Sequence, residues 1–216
     1  EFPLVQPYGL SEANTQLFVG NPDASTEQRK RVGGPLVHED LEARIVDPET
    51  RAELPAGERG ELALRGYNVM QGYLDKPEAT AAAVDDDGWF YTGDLCERDE
   101  RDRFYYHSRL DDALRVRGFL VSPQELESAI DDHPAVERSQ VVGAPHPRHG
   151  QVPVAFVVPS GDVDGADILA YLEDHVADYK VPEEVILVEE FPRTEGPHGA
   201  KIQKNTLRER VSDRYD

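Results

Sequence analysis

The chain is poor in several residues that would open particular routes to structure and function. It has one cysteine, Cys96, among 216 residues. A lone thiol excludes an intrachain disulfide and any cysteine-based zinc cage, and a cytoplasmic protein is the plain expectation. The single methionine is Met70 and the first residue is Glu1, so no signal peptide is visible at this end. Hydrophobic residues make up 38% and no apolar run approaches the length of a bilayer span, so no membrane-crossing helix is expected. Lysine is scarce: 5 of the 23 basic residues are lysine and 18 are arginine. Positive charge as a whole is outnumbered by 43 acidic residues, and the formal net charge is −20. Such a surface repels phosphate backbones, which argues against nucleic acid and anionic lipid as partners. The carboxylates are spread along the chain and not gathered in a tail. That favours a salt-adapted, halophilic surface over an acidic face for one basic partner.

What is present falls into two halves. Leu41 to Asp47 alternates apolar and polar residues before Pro48, and Arg59 to Arg65 alternates again between glycines. Trp89 to Leu95 and Arg103 to His107 read as further strands, with a short alanine-rich helix from Pro77 to Val84. Short strands and turns predict a small β-barrel or sandwich-like subdomain. After Arg109 the pattern changes. Ser122, Pro123 and Glu125 form a capping-box signature ahead of Leu126, Ala129 and Ile130. Val136 to Gly143 and Gln151 to Val158 read as strands, and Asp167 to Tyr179 as a helix. Val185 to Val188 is strand-like, and Asn205 is placed to cap a last helix. The fold class expected is α+β. A β-rich part covers residues 1–109 and a small α+β domain covers residues 110–216, with the boundary near Arg109 to Asp112.

Four segments can carry chemistry. Tyr8-Gly9-Leu10-Ser11-Glu12 offers a ring to stack a purine, a glycine for close approach, a hydroxyl and a hard carboxylate for Mg²⁺. Trp89 to Leu95 places Asp94 just past an aromatic strand, where a carboxylate can accept ribose hydroxyls. Ser108 to Phe119 brings Arg109, Arg115 and Arg117 around an acidic turn, and guanidinium forks suit phosphate oxygens. Pro192 to Lys204 is a Gly/Pro loop that delivers a lysine able to neutralise charge on an α-phosphate. Each alone is also accounted for by an ordinary turn, strand end or surface loop. His146 and His149, the close histidine pair, read as a surface turn.

In this order and spacing, with Gly60-Glu61-Leu62 and Gly72-Tyr73-Leu74 between the first two, the segments resemble the adenylate-forming superfamily. That family comprises acyl-CoA synthetases, nonribosomal peptide adenylation domains and luciferases. The resemblance covers essentially the whole chain. It implies a C-terminal part of an AMP-forming acid–CoA ligase: the β-rich end of a large domain, then a small mobile domain. Tyr8 would stack on adenine, with Gly9 beside it. Ser11, where threonine is usual, keeps the hydroxyl for the α-phosphate, and Glu12 would bind Mg²⁺. Asp94 would hold the ribose hydroxyls, with Arg109 on ribose or phosphate. Asp111 matches the hinge, Gly118 the CoA channel, and Lys201 the catalytic lysine, with Lys204 as its competitor. Three departures stand out: Ser108 replaces a usual glycine, Arg115 stands where lysine is common, and the final loop is longer and ends Gly199-Ala200-Lys201. The implied reactants are ATP, CoA and a carboxylic acid, expected to be fatty. Two alternatives are an adenylation domain that loads a carrier protein, and a folded piece without turnover. The fragment alone is expected to be inactive, because the family's main phosphate loop lies upstream of Glu1.

Overall fold

The computed structural model describes residues 3–13, 15–194 and 201–215. The chain divides into two compact units, residues 1–111 and 112–216. Both are mixed α and β, rich in strand.

The first unit opens with a hairpin of β1 (Tyr8–Leu10) and β2 (Thr15–Phe18), followed by the single-turn α1 (Thr26–Lys30). Then come β3 (Gly33–Pro35), β4 (Leu41–Val46), β5 (Arg59–Gly66), α2 (Pro77–Ala83), β6 (Phe90–Arg98) and β7 (Arg103–Arg109). These five strands form one antiparallel sheet in the order β3-β7-β6-β5-β4. The order is open, with β3 and β4 at its two edges, and not the barrel or sandwich the strand spacing suggested. The reason is local: β4, β5 and β6 follow one another as an antiparallel meander, which needs no closure. Alternation sorts the side chains. Ile45, Leu62 and Leu64 join Phe18, Phe90 and Phe104 in the main core. Val46, Ala63, Trp89 and Tyr91 make a smaller cluster of their own. Two arginines cover Trp89: the Arg44 guanidinium lies 3.8 Å and that of Arg65 4.6 Å from its ring. Cys96 sits in β6, 2% exposed, and burial pushes its thiol pKa up.

The second unit begins with a tight hairpin, β8 (Leu114–Val116) and β9 (Phe119–Val121). Arg117 (φ 52°) and Gly118 (φ 88°) make its two-residue turn. Positive φ at both positions is the twist a two-residue hairpin prefers. α3 (Pro123–Asp131) follows, capped by Ser122, whose Oγ accepts from the Glu125 amide at 3.4 Å. The long β11 (Gly150–Pro159) forms the centre of the sheet, with β10 (Val136–His146) paired to it antiparallel at one edge. β12 (Glu184–Leu187) joins β11 in parallel, after α4 (Gly165–Glu173). α4 is capped by a reciprocal box between Asp164 and Asp167. It ends four residues before a 3-10 turn at Asp178–Lys180, so the helix expected to reach Tyr179 is shorter. β13 (Arg193–Thr194), β14 (Lys201–Ile202) and α5 (Lys204–Tyr215) close the unit. Asn205 is therefore the second residue of α5 and not its cap.

Helices cover both faces of this sheet. Leu126 and Ile130 of α3 and Ile168 and Leu172 of α4 pack with Val141, Ala155 and Val157. Leu207 and Val211 of α5 pack with Val142, Val154, Phe156 and Phe191. This explains why β11 reads as a nearly continuous apolar run: a strand buried on both sides has no polar face to alternate with. Among the described residues no helix is long and apolar enough to cross a membrane.

Candidate nucleotide site

The centre of the first unit's polar chemistry is Asp94, and a β-bulge puts it there. In the pairing of β5 with β6, Glu61 faces Leu95 and Ala63 faces Tyr91, so Thr92, Gly93 and Asp94 all stand opposite Leu62. Extra residues on one strand bend it and re-aim its side chains. The side chains then repair the broken ladder. Thr92 Oγ1 donates to the Leu62 carbonyl at 2.9 Å and accepts from the Asp94 amide at 3.1 Å. The Gly93 amide donates to Glu61 Oε1 at 2.8 Å. Gly93 has φ 68°, which favours glycine, and a Cβ there would lie 3.0 Å from Arg109 Nη2, so the guanidinium would have to give by a few tenths of an ångström.

The Asp94 carboxylate, 5% exposed, is held from both sides. Tyr8 Oη donates to Oδ2 at 2.6 Å and Arg109 Nη1 to Oδ1 at 2.7 Å. Arg109 also reaches the Thr92 carbonyl at 3.2 Å, and it stands opposite Asp94 in the β6–β7 register. Burial raises the Asp94 pKa, and the Tyr8 hydroxyl and the Arg109 charge work against that rise. Burial likewise holds the Tyr8 phenol protonated, far above its ordinary value. The Tyr8 ring is 7% exposed and stacks with Phe18 and Tyr106, at 5.8 and 5.7 Å between centroids. Each oxygen of Asp94 keeps lone-pair capacity beyond these two bonds, since an ionised carboxylate offers about four acceptor positions.

Just beyond β1, Ser11 and Glu12 lie on a 3-10 turn. Ser11 is exposed, as is Gly9. Glu12 is half-buried, and Tyr73 Oη donates to its Oε1 at 3.1 Å. Among the described residues no three His, Cys, Asp or Glu side chains converge as a metal cage. A single hard carboxylate nonetheless fits Mg²⁺, which is ordinarily held by one or two carboxylates together with substrate phosphates. Five predicted side chains are thus near one another in the first unit: Tyr8, Asp94 and Arg109 in direct contact, with Ser11 and Glu12 at the end of the same strand. Glu61 and Tyr73 were assigned no role from sequence, although both sit in the glycine-containing motifs quoted for the resemblance. A pocket of about 390 Å³ lined by Leu36, Arg44, Trp89, Arg98 and neighbours includes none of these groups.

The remaining predicted residues lie at the boundary or in the second unit. Asp111 is exposed on the 3-10 turn Leu110–Asp112. Gly118 is in the β8–β9 turn, with open space around the position of a Cβ. The Lys201 backbone pairs with Thr194 in the β13–β14 hairpin. Its side chain, and residues 195–200 of the lysine loop, lie outside the described residues.

Asp94 lies in the middle of β6, which runs on to Arg98, and not just past a strand as the sequence suggested. The AMP-binding enzyme family matches residues 1–74, and the AMP-binding enzyme C-terminal domain matches residues 125–196. The chain belongs to this adenylate-forming family. It is 36% identical over 213 residues to 4-coumarate–CoA ligase 1 of Petroselinum crispum, an alignment covering 97% of this chain and 38% of that protein. The ATP-bound MatB of Rhodopseudomonas palustris is 38% identical with a TM-score of 0.79, over 97% of this chain and 41% of the other. The o-succinylbenzoate CoA synthetase MenE of Bacillus subtilis, in complex with its acyl-adenylate, is 30% identical with a TM-score of 0.79, over 95% and 41%. The chain therefore spans about two-fifths of the length of the relatives it matches.

Proposed function

We propose that this chain supplies the ribose-binding carboxylate, the acidic turn and the catalytic lysine of an ATP-dependent acid–CoA ligase. The observation that carries the reading is the Asp94 carboxylate, presented by a bulge and oriented by Tyr8 and Arg109 within 2.7 Å. Its spare lone pairs accept the ribose hydroxyls of ATP, and Arg109, 54% exposed, has donors left for ribose or phosphate. Tyr8, whose ring is 7% exposed and packed against Phe18 and Tyr106, acts through its hydroxyl on Asp94 in place of the adenine stacking expected from sequence, and the Ser11 hydroxyl donates to the α-phosphate. Glu12 would hold Mg²⁺, whose charge offsets that of the phosphates. In the first half-reaction a substrate carboxylate attacks the α-phosphorus, forming acyl-AMP and expelling pyrophosphate. In-line displacement of this kind depends on alignment and charge neutralisation, which Lys201 contributes. In the second, rotation about Asp111 brings Gly118 to line the pantetheine channel. The CoA thiol then attacks the acyl carbonyl, AMP leaves, and the thiol proton is lost to solvent.

The acid is a small organic carboxylate. A fatty acid was expected from sequence, whereas the names of two relatives refer to coumarate and o-succinylbenzoate, so the panel to be tested spans alkyl and aryl acids. The reactants are small molecules, and the net charge of −20 disfavours nucleic acid.

The test measures both half-reactions in the full-length protein. Lys201→Ala should slow acyl-AMP formation by about a hundredfold or more, the scale of one lost transition-state donor, while sparing thioester formation from supplied acyl-AMP. Asp111→Pro should do the reverse, since a fixed φ obstructs rotation. Equal slowing of both halves by Lys201→Ala, or normal thioester formation in Asp111→Pro, would overturn the assignment.

A further inference from the structure

Lys204, the rival of Lys201 for the catalytic role, is already committed elsewhere. It is the first residue of α5, and its Nζ donates to Glu127 Oε1 of α3 at 3.1 Å. The two side chains are 28% and 13% exposed. The same Glu127 oxygen accepts the Val141 amide of β10 at 3.0 Å. One carboxylate therefore ties α5 to both α3 and the central sheet.

A second tie lies one helical turn on. Arg208 Nη2 donates to Asp112 Oδ1 at 3.0 Å. Asp112 is the first residue of the second unit, next to Asp111. Lys204 and Arg208 are four residues apart and so share a face of α5. Leu207 and Val211 bury the helix against the sheet without their help. The junction between the lysine strand and α5 is gripped too. The Gln203 amide nitrogen donates to the Pro192 carbonyl at 2.8 Å, and its side chain donates to Thr194 Oγ1. Thr194 is the residue whose backbone pairs with Lys201. A half-buried ion pair is weak evidence for stability, because desolvation offsets its attraction; fixing register is the better-attested use.

We propose that Glu127 and Asp112 are positioning residues for Lys201. Through Lys204 and Arg208 they fix the start of α5, and with it the strand that carries the lysine, relative to α3 and to the residue after the hinge. This rests on the reading of Lys201 as the catalytic lysine. It assigns Lys204 a clamping role in place of a chemical one. It also means that a turn about Asp111 carries the lysine strand along with Asp112, since the two are linked through α5.

The test uses Lys204→Met, which removes the charge but keeps the apolar stem, and Lys204→Arg, which keeps the charge. Loss of one hydrogen bond between charged groups should make the Lys201 and Ile202 amides of the 216-residue chain exchange about tenfold faster in Lys204→Met. In the full-length protein the same variant should slow acyl-AMP formation by about tenfold and leave thioester formation within about twofold. Lys204→Arg should restore both readouts, and Arg208→Met should act in the same direction as Lys204→Met. Unchanged exchange, or equal slowing of both half-reactions, would overturn the proposal. Lys201→Ala, assayed alongside, separates the two readings. If it slows acyl-AMP formation and Lys204→Met does not, only the clamp is wrong. If it leaves acyl-AMP formation intact, the catalytic lysine is misassigned and the positioning role falls with it.

Discussion

Gly93 in the first unit and Gly118 in the second both hold positive φ, at 68° and 88°, yet their surroundings differ. Around Gly93 the side chains of Glu61, Thr92 and Arg109 all converge, and an added Cβ meets a guanidinium. Around Gly118 there is open space, and only the hairpin backbone sets the conformation. The first glycine belongs to a site built from packed, mutually bonded side chains. The second belongs to a turn held by its strands. A preformed pocket needs the former, whereas a surface that meets its ligand only during part of a cycle can use the latter.

Substitutions can break that comparison. The largest loss is expected for Gly93→Ala, at about 2–3 kcal/mol, because unfavourable φ combines with displacement of Arg109. Denaturant unfolding measures the loss, and AMP affinity should fall with it. A cost equal to that of Gly118→Ala would show that the bulge tolerates rearrangement.

Next in size is Glu97→Gln, which probes electrostatics in the same sheet. Glu97 accepts from His107 Nε2 at 2.9 Å and pairs with Arg31. The His107 hydrogen bond, helped by the Arg31 charge, lowers its pKa from 4.5 to about 2. A depressed carboxylate stabilises the fold above its unfolded value and ceases to do so as pH falls through its folded one. Glu97→Gln should therefore cost about 2 kcal/mol at neutral pH, and the gap from the parent chain should close between about pH 4.5 and pH 2. A gap independent of pH would mean that packing, not charge, holds Glu97.

Gly118→Ala should be milder, at about 1 kcal/mol in unfolding, for φ alone. Its signature is kinetic: the CoA half-reaction should slow while acyl-AMP formation does not.

The smallest effect per added ion is expected from salt. Ions screen charge within about 10 Å at 0.1 M, so melting temperature should climb from low to molar KCl if the surface is salt-adapted. A flat or falling trend would show that the acidity serves another purpose.

How much was legible in the sequence follows from where the information lay. Helices α2, α3 and α4 announced themselves through Pro77, Ser122 and the spacing of Ile168 and Leu172, all local signals. Strands β4 and β5 were visible through alternation, and β6 and β7 as short aromatic-rich runs. The β8–β9 hairpin was weighed only as the alternative to a phosphate-binding arginine cluster, because Arg117 stands where asparagine or aspartate usually marks such a turn. The overlong α4 has a similar cause. Val176 and Tyr179 are partly buried on the same core, but by the chain following the helix. In the site, Asp94 and Arg109 were named as candidates from sequence, but the bond from Tyr8 to Asp94, 86 residues distant, is a product of sheet order. Glu61 was hidden because its task is to hold one backbone amide, a role with no compositional trace.

Cys96 and Trp89, each the only one of its kind in the chain, both lie in the first unit. Cys96 is closed off within β6, so a thiol reagent reaches it only when that sheet opens. Trp89 is 8% exposed in the same unit, so indole fluorescence reports on the same event. The second unit is silent to both probes and visible in far-ultraviolet circular dichroism through its helices and strands. The molecule thus carries intrinsic labels on one half only. Thiol-labelling rates, fluorescence melts and dichroism melts, recorded on the unmodified chain, will resolve whether its two halves unfold together or in turn.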